Sequence, residues 1–171
     1  AGNTPMATVG KEGKGLTYRG YSIDDLAEQS TFEEVAYLLI YGVLPTQTEL
    51  NNYKKTLREM RGLPTPLKTV LEQIPTDAHP MDVMRTGCSM LGTLEPEGAA
   101  RDQIAVANRL TACFSSMLLY WHHFQTGAKR IETATDDDST AGHFLHLLHG
   151  SKPDELRRRA IDVSLILYAE H

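Results

Sequence analysis

The sequence LTACFSSMLLYW, residues 110–121, decides the fold class of this chain. Its apolar side chains recur every three or four positions, which is the spacing of one face of an α-helix; the members of that face are Leu110, Cys113, Phe114, Met117, Leu118 and Trp121. Leu119 and Tyr120 widen the apolar surface over most of the helix circumference. We therefore predict a long central helix over 103–125 that needs neighbours on nearly every side.

Further helices are predicted on both sides of the central one. Capping boxes, in which a side-chain oxygen binds a free N–H and a carboxylate returns to the cap, begin helices at Ser22 with Asp25, Thr31 with Glu34, and Thr46 with Glu49. Gly42 before Pro45 and Gly62 before Pro64 end two of them. Later helices are predicted over 66–72, 80–94, 139–149 and 153–171. The glycine-bounded segment 15–21 is expected to be extended or a tight turn, and since no strand-period stretch exceeds about five residues, the predicted fold class is all-α.

The composition is that of an ordinary globular protein. Of 171 residues, 41% are hydrophobic and 23% are charged, with a mean hydropathy of -0.32. No apolar run approaches the roughly 20 residues that a membrane helix needs, so no membrane partner is expected. The net charge of -5 argues against nucleic-acid binding, and the basic cluster Arg157 to Arg159 is interpreted as a solvated helix face. Cys88 and Cys113 lie on apolar stretches and are expected to be buried thiols in a reducing compartment, which predicts a cytoplasmic protein.

Both ends of the sequence lead us to expect an internal piece of a longer protein. The chain opens with Ala1-Gly2-Asn3-Thr4, without an initiator methionine or the charged and apolar segments of a secretion signal. It stops at His171, at the end of the predicted last helix. A histidine at this place is expected to belong to a functional site, and the other residues of that site would have to follow it. We call the expected longer protein the parent, and the function inferred below is the function of the parent.

Three histidines share one predicted helix in the pattern H-x-x-H-x-x-H: His143, His146 and His149. Each step of three residues rotates the imidazole by roughly 60°, so the three rings are expected to spread over a wide arc instead of converging on one ion. The acidic run 136–138 precedes the same helix, where the helix dipole favours negative charge. We therefore predict no metal site.

From the residues alone, two other classes of protein stay open. A helical interaction module without catalysis would be a stable monomer of residues 1–171. A metal-binding bundle would use some of the seven histidines and would carry stoichiometric metal.

Five segments, in order along the chain, resemble the citrate synthase family. They are GLTYRGYSI at 15–23, FEEVAYLLIYGVLPT at 32–46, HPMDVMRT at 79–86, FLHLLHG at 144–150 followed by Pro153, and LYAEH at 167–171. Within the family, four features look most similar to bacterial 2-methylcitrate synthases: YRGY at 18–21, HPMDVMRTG at 79–87, the Asp-Asp-Asp-Ser loop at 136–139 and YAEH at 168–171. Five collinear motifs are far more specific than any one of them alone.

The resemblance implies a fold and a reaction. Members of the family are all-α homodimers whose large domain is a bundle of antiparallel helices and whose small domain closes over CoA; residues 1–171 would form the first half of the large domain, without the rest of it and without the small domain. The 2-methylcitrate synthases condense propionyl-CoA with oxaloacetate and water, giving 2-methylcitrate and CoA. The parent is thus expected to be an acyltransferase of propionate catabolism, with citrate synthase proper, which uses acetyl-CoA and gives citrate, as the alternative. The CoA thioester is a substrate, and no cofactor is expected.

The resemblance assigns one substrate-binding residue to this chain, His171, as the histidine that contacts oxaloacetate or citrate. It places the catalytic aspartate, both catalytic histidines, the CoA-binding loop and the main arginine clamps downstream of residue 171. We therefore expect no catalytic, cofactor-binding or metal-binding residue within the chain. Residues 1–171 expressed alone are expected to be inactive and not to form a well-behaved monomer.

Overall fold

The computed structural model describes residues 6–8 and 15–170, and helices dominate this part of the chain. The helices are α1 Ile23–Gln29, α2 Phe32–Tyr41, α3 Gln47–Glu59, α4 Thr65–Gln73, α5 Pro80–Leu94, α6 Gln103–Gly127, α7 Thr140–His149 and α8 Glu155–Leu167. A small antiparallel sheet has the order β1-β2-β3, with strands Ala7–Thr8, Thr17–Tyr18 and Tyr21–Ser22. The predicted all-α fold is confirmed, as is the extended turn over 15–21. Among the described residues, no helix is long and apolar enough to cross a membrane.

Two of the predicted capping boxes begin α2 and α3. The Glu34 carboxylate accepts the N–H of Thr31 at 2.7 Å, and the Glu49 carboxylate accepts the N–H of Thr46 at 2.8 Å. Gly42 follows α2 with a φ of +87°, a left-handed conformation that glycine adopts without steric cost. These local signals therefore fix the beginning and end of α2 and the beginning of α3.

The last helix is shorter than the predicted range 153–171. Helix α8 starts at Glu155, because the N-cap Asp154 accepts the N–H of Arg157 at 2.9 Å, and it ends at Leu167. The residues after Leu167, up to Glu170, form turns. The hydroxyl of Tyr18 donates to the carbonyl of Leu167 at 3.2 Å, a long-range contact that capping signals in the sequence do not reveal.

The described residues form two compact units. The first unit contains the described residues up to Lys54, residues 139–141, and the chain from Pro153 onward. The second unit contains residues 55–138 and 142–152. Two of the four boundaries between the units fall inside helices, one in α3 and one in α7.

The core of the first unit surrounds one tyrosine. Tyr18 is fully buried, and it packs with Leu26, Val35, Leu38, Leu39 and Ile166. Helix α8 contributes Ile166 to this core and packs against α1 and α2. The first unit therefore joins an early part of the sequence to its last helix.

The core of the second unit forms around α6, the predicted central helix. Helices α4 and α5 pack against it, and its buried apolar side chains include Cys113, Met117, Tyr120 and Trp121. At Gly87 in α5 a β-carbon would lie 2.9 Å from the Met117 sulfur, so α5 approaches α6 closely at a position where glycine leaves room. The apolar face predicted for residues 110–121 is confirmed by this burial.

Replacing Asp162 by alanine is expected to destabilise the protein by about 2–3 kcal/mol, because a buried N–H and a guanidinium lose their acceptor. Asp162 is fully buried; it accepts the N–H of Phe32 at 3.1 Å and a bond from Arg159 at 2.8 Å. Urea unfolding of the parent measures the effect. Glu155→Ala in the same helix is the control, since it removes an exposed ion pair and should change the midpoint little. Equal stability of the Asp162→Ala variant and the wild type would contradict this prediction.

Candidate functional site

The predicted site residue His171 lies outside the described residues, which end at Glu170. Its assignment as a substrate-binding residue remains a prediction. The structure does describe the helix and the turn that lead to it. The geometry of α8 and of residues 168–170 therefore defines the candidate site as far as the structure extends.

The start of α8 is bound to α1 and α2 by an ion pair. Arg159 and Asp162 lie three positions apart and bond at 2.8 Å. The Arg159 guanidinium also donates to the carbonyls of Ala27, of Glu28 at 3.1 Å and of Ser30 at 2.7 Å, where α1 ends. Carbonyls at a helix end lack intrahelical partners, so Arg159 supplies them with donors. The earlier interpretation of Arg157 to Arg159 as a solvated face is thus wrong for Arg159.

The end of α8 is fixed by buried and hydrogen-bonded groups. Ile166 is fully buried, and the Leu167 carbonyl accepts the Tyr18 hydroxyl. The N–H of Tyr168 donates to Ser164 at 3.2 Å, and the N–H of Ala169 donates to Ile166 at 3.2 Å. The chain therefore leaves the helix through a bonded turn.

Glu33 is a buried carboxylate within the family segment at 32–46. It is 1% exposed, and one of its oxygens accepts the N–H of Thr140, the first residue of α7, at 2.7 Å. Burial raises the pKa of Glu33, while the bonds from Thr140 oppose that rise. Its other oxygen, Oε2, is buried and has no hydrogen-bond partner among the described residues. The capping-box spacing identifies Glu34 as the partner of Thr31, but no signal in the sequence predicts that Glu33 is buried.

The three histidines of α7 have three different surroundings. His143 is fully buried, with Nε2 3.1 Å from the Ser116 hydroxyl and Nδ1 3.0 Å from the Thr135 hydroxyl. His146 bonds through Nδ1 to Asp137 at 2.6 Å, and His149 is exposed. The predicted divergence of the three rings is therefore confirmed.

The acidic run before α7 pairs with basic side chains instead of relying on the helix dipole alone. Asp136 bonds to Lys152 at 3.1 Å and Asp138 bonds to Arg58 at 2.8 Å. The ligand atoms of Asp136, Asp137 and His146 lie within 4.8 Å of one another, a spacing that a metal ion can bridge. Asp136 already pairs with Lys152, and Asp137 and His146 already bond to each other, so these contacts explain the arrangement without a metal ion.

Glu72 forms a second network in the same unit. Arg130 donates two bonds to its carboxylate, at 2.7 and 2.8 Å, and the Tyr120 hydroxyl donates a third at 2.7 Å. The hydrogen bonds from Arg130 and Tyr120 lower the pKa of Glu72 to about 2. These residues and Lys68 line a cavity of about 270 Å³. The Glu72 carboxylate is thus paired with Arg130, and this pair fixes the segment after α6 against α4.

The cysteines have the properties of structural thiols. Both are free, and Cys113 is fully buried. Burial raises the pKa of Cys113 to about 12 and also raises the pKa of Cys88. A thiol must ionise to act as a nucleophile, so neither residue is prepared for nucleophilic catalysis.

Comparison with known proteins identifies the family. A family model described as the C-terminal domain of citrate synthase matches residues 1–171. The chain belongs to the citrate synthase family. The resemblance carried by the five segments is therefore confirmed.

Individual relatives agree with this family. A 2-methylcitrate synthase from Shewanella oneidensis is 60% identical over the whole chain, which covers 46% of that protein. A citrate synthase from Deinococcus radiodurans is 34% identical over 91% of the chain and 42% of its own length. The chain thus spans about half the length of the curated relatives that it matches.

Solved structures share the fold. Citrate synthase from Thermoplasma acidophilum, in a ternary complex with carboxymethyl coenzyme A and oxaloacetate, has a TM-score of 0.87 and 25% identity over 99% of the chain and 45% of its own. Citrate synthase from Thermotoga maritima has a TM-score of 0.82 and 27% identity over 99% of the chain and 44% of its own. The chain therefore has the fold of the citrate synthases over the part of their length that it covers.

The buried His143 is expected to make stability fall on acidification. Burial, and then the nearby Arg61 charge, lower its pKa from 6.5 to about 3, with Asp137 opposing and His146 adding to this shift. Between these values the unfolded chain binds a proton that the folded chain rejects, so stability is lost as the pH falls below 6.5, by at most about 1.4 kcal/mol per pH unit.

Urea unfolding of the parent at pH 7 and pH 5 tests this expectation. The wild type should lose about 2 kcal/mol more than His143→Gln, which cannot titrate and keeps a donor and an acceptor. Other ionisable groups contribute equally to both proteins. An equal loss in the two proteins would show that His143 does not titrate as described.

Proposed function

We propose that this chain is part of an acyltransferase that condenses a short acyl-CoA with oxaloacetate and water and releases CoA. Propionyl-CoA is the proposed acyl donor, which makes 2-methylcitrate the product and propionate catabolism the metabolic role. The observation that carries the proposal is the 60% identity, over the whole chain, to a 2-methylcitrate synthase. Acetyl-CoA with citrate as product is the second candidate, supported by the citrate synthases of solved structure.

The chemistry divides the work between this chain and the rest of the parent. A carboxylate must remove the α-proton of the thioester, donors must stabilise the enolate oxygen, and the oxaloacetate carbonyl must be polarised for attack. We assign the base, the catalytic histidines and the CoA-binding loop to the parent beyond residue 171. This chain contributes His171, which binds the carboxylate or carbonyl oxygens of oxaloacetate, and the helical frame that carries it.

The parent is proposed to act as a homodimer. Met81, Leu94 and Ile104 are exposed apolar side chains, and a symmetric dimer is the commonest assembly in which soluble proteins cover such side chains. We place the enzyme in the cytoplasm, a compartment in which the two free cysteines would stay reduced.

The parent is expected to release CoA from propionyl-CoA only when oxaloacetate is present. Thiol release from propionyl-CoA and acetyl-CoA, each with and without oxaloacetate, measures this directly. Residues 1–171 alone serve as the inactive control. No oxaloacetate-dependent release from either thioester by the parent would refute the proposed reaction. A preference for propionyl-CoA below about twofold in kcat/KM, a difference of only about 0.4 kcal/mol, would remove the 2-methylcitrate assignment alone.

His171→Ala in the parent is expected to raise the KM for oxaloacetate about 5- to 150-fold, because buried ligand oxygens lose a hydrogen-bond donor. The matched control is His149→Ala, which removes an exposed imidazole from α7 and should leave both substrate KM values unchanged. Circular dichroism of both variants checks that the fold is intact. An unchanged KM for oxaloacetate in folded His171→Ala would assign His171 a structural role.

A further inference from the structure

The carbonyl of Leu167 has an unusual partner for its position. In a continuing α-helix the carbonyl of residue 167 accepts the N–H of residue 171. In this structure α8 ends at Leu167, and that carbonyl accepts the hydroxyl of Tyr18 at 3.2 Å. The Tyr18 hydroxyl therefore lies where the helix stops, four positions before His171.

The Tyr18 side chain is held rigidly. Its strand β2 lies between two others, with Tyr18 paired to Ala7 on one side and to Tyr21 on the other. Its ring is fully buried in the core of the first unit, in contact with residues of α1, α2 and α8. A buried phenol needs a partner for its hydroxyl, and the core leaves the ring little freedom to find another. Tyr18 thus provides a donor at a fixed place.

The residue directly before His171 influences the pKa of the same hydroxyl. Burial raises the pKa of Tyr18, and the backbone of Glu170 opposes this rise through a hydrogen bond to the phenol. The hydroxyl thus binds the backbone at Leu167, where the turn formed by Tyr168 and Ala169 begins.

We propose that Tyr18 is a positioning residue for His171. By holding the Leu167 carbonyl, the phenol sets the direction in which the chain leaves α8 and so the place from which the His171 imidazole reaches oxaloacetate. This inference rests on the proposed function, in which His171 binds that substrate. It assigns no contact between Tyr18 and the substrate itself.

Tyr18→Phe in the parent removes the hydroxyl and keeps the ring. The KM for oxaloacetate is expected to rise about 2- to 10-fold, the effect of losing one neutral hydrogen bond, while kcat and the KM for the acyl-CoA stay within about twofold. Tyr120→Phe is the matched control, because it removes another buried hydroxyl, bonded at 2.7 Å to Glu72, from the second unit. It should lower the melting temperature similarly and leave the KM for oxaloacetate unchanged.

A double-mutant cycle separates positioning from general stability. If Tyr18 acts through His171, adding Tyr18→Phe to His171→Ala should change the KM for oxaloacetate less than about twofold, since the residue being positioned is already gone. An equal rise in both backgrounds, an equal rise in the control variant, or no rise in the wild-type background would overturn the inference. A wild-type parent without oxaloacetate-dependent CoA release would overturn the proposed function as well, so the two failures are distinguishable.

Discussion

The first unit depends on the hydrogen bond and the ion pair that the fully buried carboxylate of Asp162 makes. This carboxylate accepts the N–H of Phe32, the first residue of α2, and it pairs with Arg159, which donates to carbonyls at the end of α1. Free N–H groups begin a helix and free carbonyls end one, so a single ion pair on α8 satisfies both sides of the corner between α1 and α2. Removing Asp162 would leave the Arg159 charge without its carboxylate and the Phe32 N–H without an acceptor. Removing Arg159 would leave the buried Asp162 charge unpaired and would take the donor from the Ser30 carbonyl. The direction of α8 is fixed for that reason.

The second unit uses a buried charge in the same way. Arg109 lies in the first third of α6 and is only 9% exposed, and its guanidinium donates to the carbonyl of Met60 and to the Glu95 carboxylate. Arg101 pairs with the same carboxylate at 2.7 Å, and these bonds, first of all those from Arg109, hold the pKa of Glu95 below its usual range. In both units a charged side chain supplies donors to the backbone of a neighbouring segment. Apolar burial alone would leave those carbonyls unsatisfied.

Helix positions could be predicted from the sequence wherever the signal is local. The boxes at Thr31 and Thr46 and the apolar face of residues 110–121 depend on spacings of three or four residues, and the structure confirms them. Arg159 could not be distinguished from Arg157 and Arg158 by composition, because all three belong to one basic run. The spacing did contain a weak signal, since Asp162 precedes the buried Ile166 by one helical turn and therefore shares its face. The partners that make this pair structural lie about 130 positions earlier, at a distance that no local pattern reaches.

The same limit separates the two parts of the candidate site. The sequence LYAEH is sufficient to predict the role of His171 from the family resemblance, because the residues of this motif are contiguous. The residue that fixes the approach to it is 149 positions away from Leu167 and belongs to a different motif, GLTYRGYSI. A substrate-binding imidazole is useful only when its backbone is held to within a fraction of an ångström, and a loose turn after α8 would not provide that. The first and last segments of resemblance thus meet in one hydrogen bond, which gives a physical reason for both to be present in the same chain.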